Sequence, residues 1–444
     1  AGGASPAGSF GAGAGPVLPN PALLRSDVLS HAGAASASAG GPSTQLARPG
    51  AAATKTLARR RQTWGDHLSL ISAVRADASA TAVHVLPQDG GEGLARYVAV
   101  GDELGRVYVF RPGGDLVIEH QCPSGKPITA LTSLLVRRNE TALAAGHAGG
   151  SVTVLRVVES VHKEPGSPEA SYVLNIAEAG AGELPGGGDV EVLEGYRVQG
   201  RRFVAAAGGA GEVAMFRADT GELSGVVHAP HRVLAVRPGP SSLLLLTERG
   251  AALAQLRGTP GEVRSVECKG LNGTAMQVAR FDQSATTRAH ALGPGGELLS
   301  LFVKAEKQRV DCVARTRRQL VGVQPPAMLS TVKGYLFVAT PYDVAVFNTT
   351  GTAKAVPRDV LLEPVGALAA EFGLAAHAVG TPLLATNKAR QVVVGFPDGV
   401  VGIYQSDLPV FKPQEFNTKL WSQPIFIAVV VVIAFWQFFR SRGA

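Results

Sequence analysis

Seven stretches of this chain can be laid under one another. They are "RYVAVGDELGRVYVF" (96–110), "ETALAAGHAGGSVTVL" (140–155), "RRFVAAAGGAGEVAMF" (201–216), "SSLLLLTERGAALAQL" (241–256), "AHALGPGGELLSLF" (289–302), "GYLFVATPYDVAVF" (334–347) and "QVVVGFPDGVVGIY" (391–404). Each reads as an apolar strand, a tight turn usually carrying Gly or Pro, and a second strand closing on a large apolar residue. The closing residues are Phe110, Leu155, Phe216, Leu256, Phe302, Phe347 and Tyr404, so successive gaps are 45, 61, 40, 46, 45 and 57 residues. A period of about 40–45 residues is that of a four-stranded sheet repeated around an axis. The two long gaps hold insertions, "EAGAGELPGGGD" (178–189) and "GALAAEFGLAAHAVGTP" (366–382), the second with room for a short helix. Between hairpins there is space for two further strands, for example "DLVIEH" (115–120) and "ITALTSLLV" (128–136).

These features resemble an all-β, seven-bladed β-propeller of the WD40-like class over residues 65–410. The resemblance is degenerate: the Trp-Asp dipeptide is absent, and Gly146-His147 is the only trace of the Gly-His signature, displaced from its usual place. The last unit stops after its third strand at Tyr404, while "HLSLISAV" (67–74) precedes the first unit, so the N-terminal strand is expected to complete the last blade. A six-bladed ring or a pair of sandwiches is the alternative, since the fifth unit is weak around "ALGPGG". The chain also looks like the membrane-anchored WD40-like proteins of plants and green algae, a likeness over most of residues 65–444 that implies no activity.

The C-terminal "LWSQPIFIAVVVVIAFWQFF" (420–439) carries no charge. At about 1.5 Å per helical residue it covers roughly 30 Å, the thickness of a bilayer's hydrocarbon core. One transmembrane helix is therefore expected, contacting lipid through 420–439, with Trp421 and Trp436 at the headgroup level and Arg440 and Arg442 closing it in water. Residues 411–419 then form a linker and 440–444 a short basic tail. Residues 1–64 are Ala/Gly/Ser-rich and read as disorder, because such runs bury too little apolar surface to offset their ordering entropy. They also resemble a transit peptide. The net charge of +7 divides as +5 over 1–64 and +3 over 411–444, leaving −1 between them. That balance argues against a nucleic-acid partner.

Charge does not orient the span, because Lys412 and Lys419 on one side balance Arg440 and Arg442 on the other. A start at Ala1 without Met is what a cleaved signal peptide would leave. Three of the seven asparagines, Asn139, Asn272 and Asn348, stand in glycosylation sequons at expected turns. Together these favour a propeller in the lumen of the endoplasmic reticulum and secretory pathway, or outside the cell. Cys122, Cys268 and Cys312 are odd in number, and the last two fall on outer strands of neighbouring blades, so no bridge is expected. The competing reading is a cytosolic propeller on a tail anchor, resembling the exchange factors that load small GTPases for vesicle budding. The glycine-rich ion-binding loop of their first blade is missing here.

No catalytic, cofactor-binding or metal-binding motif emerges. "GGAGEV" (208–213) and "GAGELPGGG" (180–188) lack the strand-to-helix setting of a phosphate loop, and "HAPH" (228–231) lacks partner ligands. No small-molecule substrate is evident. A protein-binding surface is the better expectation. In a WD40-like blade the turns between second and third strands face partners, which selects Asp102, Glu103, His147, Glu248, Arg249, Tyr342, Asp343, Pro397 and Asp398 as exposed contact residues. The same mapping puts Asn139 and Asn348 on the membrane-proximal face and Asn272 on the distal one.

Overall fold

The computed structural model describes residues 63–87, 93–163, 170–256, 263–306, 309–321, 323, 325–351, 355–375, 380–387, 389–409 and 418–442. The expected disorder of residues 1–62 and the linker positions 411–417 lie outside the described residues.

Alternation of apolar and small residues over short runs yields strands, and Gly or Pro between them yields turns. In chain order the first strand is β1 (Leu68–Arg75). Blade 1 follows as β2 (Ala80–Val85), β3 (Val98–Asp102), β4 (Arg106–Phe110) and β5 (Leu116–Gln121). Blade 2 is β6 (Ile128–Arg137), β7 (Glu140–His147), β8 (Ser151–Lys163) and β9 (Ala170–Glu183). Blade 3 is β10 (Val192–Val198), β11 (Arg201–Ala207), β12 (Glu212–Arg217) and β13 (Leu223–His228). Blade 4 is β14 (Val233–Pro238), β15 (Ser242–Thr247), β16 (Gly250–Gln255) and β17 (Val263–Glu267). Blade 5 is β18 (Val278–Phe281), β19 (Arg288–Leu292), β20 (Glu297–Glu306) and β21 (Arg309–Gln319). Blade 6 is β22 (Met328–Val332), β23 (Tyr335–Ala339), β24 (Asp343–Asn348) and β25 (Arg358–Pro364), followed by helix α1 (Val365–Glu371). Blade 7 is β26 (Leu383–Thr386), β27 (Gln391–Gly395) and β28 (Val400–Ser406), completed by β1 in the order β1-β28-β27-β26. The result is an all-β propeller of seven four-stranded sheets, and the fifth unit is a full blade.

Blades hold together face to face. Each interface between neighbouring blades has its own apolar cluster, such as Val107 and Val109 of blade 1 against Ile128 and Leu143 of blade 2, and Phe337 and Val346 of blade 6 against Val392 and Phe396 of blade 7. Each such side chain contributes about 1.5–3 kcal/mol on burial. Close approach demands glycine at Gly146, where a Cβ would come 2.4 Å from Val190 Cγ1.

Closure is a latch. β1 pairs antiparallel with β28 from Leu68↔Ser406 to Arg75↔Val400, as the N-terminal strand was expected to do. Trp64 anchors it, 2% exposed and edge-on to Tyr404 with ring centroids 5.4 Å apart. The propeller thus begins at or before Trp64, inside the segment expected to be disordered. Asp66 fixes the entry, accepting hydrogen bonds from the Thr63 amide at 2.8 Å and hydroxyl at 3.0 Å.

Two further expectations need correction. The stretch 178–189 is not wholly an insertion, because β9 continues through Glu183. Its glycines mark tight contact with blade 3: a Cβ on Gly182 would lie 2.4 Å from Phe216. At the other end of the chain, α2 runs Thr418–Arg442, so Thr418 and Lys419 belong to it rather than to a linker, and Arg440 and Arg442 continue it. Among the described residues no helix is long and apolar enough to cross a membrane, so the span expected at 420–439 is not carried by them. The described side chains of α2 are nonetheless mostly apolar and exposed, among them Phe426, Ile427, Val432 and Phe435.

Candidate partner face and central channel

Links between blades dock on the turns between second and third strands: the Cys122 amide donates to Gly105 O at 3.0 Å, Ala148 N to Pro127 O at 2.9 Å and Met276 N to Glu248 O at 2.7 Å. These turns and links therefore share one face, the distal face. The chain leaves on the opposite one, where Asp407 N donates to His67 O at 2.8 Å.

On the distal face the last residue of the second strand holds the turn from within. Asp102 is buried; its Oδ1 accepts from Leu104 N at 2.9 Å and Arg106 N at 2.7 Å, and its Oδ2 accepts from the Tyr108 hydroxyl at 3.2 Å. His147 is buried too, with Nδ1 2.9 Å from Ser124 Oγ and 3.1 Å from Lys126 O, and Nε2 3.1 Å from Thr153 Oγ1. Burial lowers the pKa of the His147 imidazole. Thr247 plays the same part in blade 4, accepting from Gly250 N at 3.2 Å. Asp102 and His147 are thus not exposed contact residues: parity along the strand turns them inward.

The neighbouring residues do reach solvent. Glu103, Arg249, Tyr342 and Asp398 are exposed, and Glu248, Asp343 and Pro397 are half-buried. Tyr342 is 71% exposed on a rigid turn, because Thr340 Oγ1 accepts from Asp343 N at 3.0 Å. Leu104 and Val321 are exposed apolar residues of the same face. Arg232 ties the turn of blade 4 to the link before blade 3, 2.6 Å from Glu191 and 3.7 Å from Glu248.

The first strands line an axial cavity of about 680 Å³, with His84, Ser133, Glu194, Arg280 and Thr386 in its wall. His84 Nε2 lies 2.7 Å from Ser133 Oγ. Burial, with Arg280 adding charge repulsion, pushes the His84 pKa down to about 4, so the ring is neutral at pH 7. Among the described residues no three His, Cys, Asp or Glu side chains are grouped to hold a metal ion.

Sequence reasoning missed a buried network in blade 5. Asp282 Oδ2 lies 2.5 Å from Arg288 Nε and 3.5 Å from His290 Nε2, while His290 Nδ1 is 3.3 Å from Ser300 Oγ. Burial would raise the Asp282 pKa, but hydrogen bonds from His290 and Ser284 and the Arg288 charge outweigh it and hold the carboxyl well below its usual range. The Ser-His-Asp order resembles a hydrolytic triad, yet all three are buried and none lines the axial cavity. It ties the turn before β19 to β19 and β20. No single residue pattern announces it, because its members come from β19, β20 and the turn that precedes β19.

The structure also pairs Cys268 with Cys312, against expectation. Their Cα atoms are 4.5 Å apart and the sulfurs are bonded. Lys269 N donates to Cys312 O at 3.0 Å and Ala314 N to Lys269 O at 2.8 Å, so the link leaving blade 4 runs alongside β21. Cys122 is free and buried, its thiol pushed up to about 12 by burial. Of the sequons, Asn139 and Asn272 are exposed. Asn348 is half-buried with Oδ1 accepting from Thr350 N at 2.7 Å. In α2, Arg440 lies over the ring of Trp436 at 5.3 Å and Arg442 over Phe438 at 4.5 Å, while the Trp421 side chain lies outside the described residues.

With that geometry, comparison with known proteins adds two findings. No family model matches the chain. It is 31% identical over 395 residues to an Arabidopsis thaliana protein described as an uncharacterized membrane protein, a match over 85% of this chain. The match spans only 62% of the relative's length. The crystal structure of Chaetomium thermophilum Raptor superposes with a TM-score of 0.54 over 77% of this chain and 29% of that one, at 12% identity. That likeness is one of fold alone.

Proposed function

We propose that this protein is a membrane-anchored, non-enzymatic platform that presents the distal face of its propeller to a protein partner. The observation that carries the reading is the contrast on that face: Asp102, His147, Thr247 and Thr340 lock the turns from inside while Glu103, Arg249, Tyr342 and Asp398 project from them. A preorganised, chemically mixed surface that includes an exposed aromatic suits protein recognition. Attachment through 420–439 is supported by twenty uncharged residues in sequence and by the likeness to an Arabidopsis membrane protein.

Residence of the propeller in an oxidising lumen or outside the cell is supported by the Cys268–Cys312 bond, since disulfides persist in such compartments and are rare in the cytosol. Exposure of Asn139 and Asn272 supports it further. The test is endoglycosidase digestion and protease treatment of intact microsomes. A deglycosylation shift with protease protection is expected. An unshifted, protease-sensitive propeller would instead favour the tail-anchored cytosolic regulator of a small GTPase.

A further inference from the structure

The near-zero charge of the propeller conceals a polarity. On the face where the chain leaves, Arg138, Arg201, Arg309, Lys333, Arg358 and Arg390 stand in or beside turns of blades 2, 3, 5, 6 and 7. Five of them are exposed and Lys333 is half-buried, and none forms an ion pair among the described residues. Acids of this face are mostly engaged, Glu140 by Arg137 and Arg156, Asp219 and Glu222 by Arg217, Glu306 by Lys304, and buried Asp282 by Arg288, while exposed Asp115 of blade 1 forms no ion pair among the described residues. The cationic excess is therefore free to act on something outside the fold.

The position of α2, beginning at Thr418 soon after the last blade, says what that is. The stretch between Pro409 and Thr418 reaches at most about 30 Å when fully extended. If α2 enters a bilayer, this face is held within that distance of the headgroups at high effective concentration. Screening limits charge attraction to about 8 Å at physiological salt, so the ring acts only once the face settles on the surface.

We infer that this arginine-rich ring docks the propeller on phosphate-bearing headgroups of an anionic bilayer, holding the distal face outward. The inference rests on the anchoring alone and not on the side of the membrane; cytoplasmic leaflets carry the strongest anionic surface, so docking in the cell would count for the cytosolic orientation. Its test uses the full chain in nanodiscs of neutral phosphatidylcholine or of phosphatidylcholine mixed with phosphatidylglycerol, followed by amide hydrogen exchange. Turns at 138–139, 199–201 and 333–334 are expected to exchange at least about fivefold more slowly on anionic discs, the factor that one surface charge contributes. Exchange at 103–105 and 340–342 should not change. High salt, and the triple variant Arg138→Gln/Arg201→Gln/Arg358→Gln, should abolish the difference. Equal exchange on both discs overturns the inference, as does slowing by polyglutamate but not by anionic lipid, which would reassign the ring to an acidic polypeptide. Failure of the chain to copurify with discs sinks the anchor instead. In that case sedimentation of the full chain with anionic and neutral vesicles tests the ring alone, and absence of preference refutes it.

Discussion

Replacing both Cys268 and Cys312 by Ser removes a cross-link between blades 4 and 5 that closes a loop with a sequence separation of 44. In the chain-entropy account a loop of that length stabilises by about 4 kcal/mol, because it narrows the unfolded ensemble. Unfolding entropy near 2.1 cal/mol/K per residue amounts to roughly 0.7 kcal/mol/K over a propeller of this size, so the expected fall in Tm is about 5 °C. Calorimetry of the variant and the wild type, each with and without reductant, reads it directly. Reductant should lower the wild-type Tm toward that of the variant and leave the variant unchanged. Alkylation under denaturing, non-reducing conditions should find one thiol, Cys122. Three thiols in protein isolated from its native membrane, or equal melting temperatures throughout, would refute both the pairing and the oxidising compartment inferred from it.

Trp64→Ala should cost about 3–5 kcal/mol by leaving a cavity against Tyr404, read as a lowered denaturation midpoint. Asp282→Ala should cost about 3–5 kcal/mol, since it leaves the mostly buried Arg288 guanidinium without its carboxylate. Because the folded pKa of Asp282 is depressed, its contribution is full above the ordinary carboxylate range near pH 4 and is lost as pH falls below it; the variant's acid-unfolding curve should lack that slope. Gly146→Ala should destabilise by about 1–3 kcal/mol, as its methyl meets Val190, and thermal melting would show it. Tyr342→Ala with Arg249→Glu should leave the melting temperature within about a degree while abolishing partner capture by the distal face, measured by pull-down against wild type.

The period of the hairpins, the latch strand and the helix at 365–371 are legible in the sequence because each depends on local pattern: alternation, a turn signal, a break in the repeat. What escaped depends on parity or on space. Asp102 differs from exposed Glu103, and His147 from half-buried Ala148, by a single step along the chain, and a strand's period of two turns that step into opposite environments. Gly180 and Gly182 read as a flexible loop, yet small residues are what lets β9 lie against blade 3. Cys268 and Cys312 belong to different blades, and only the path of the blade-to-blade link through Lys269 sets them side by side.

The latch has a consequence for biosynthesis. Among the described strands β1 is made first, but its partner β28 is more than three hundred residues away in sequence. At about 5–20 residues per second, the nascent strand waits some tens of seconds with its hydrogen-bonding edge open. Until β28 arrives, β1 has no partner and cannot close blade 7, so a ribosome stalled before Val400 would release an incomplete toroid prone to pairing with its neighbours. Whatever covers residues 68–75 during that wait favours closure of the ring over pairing with another chain.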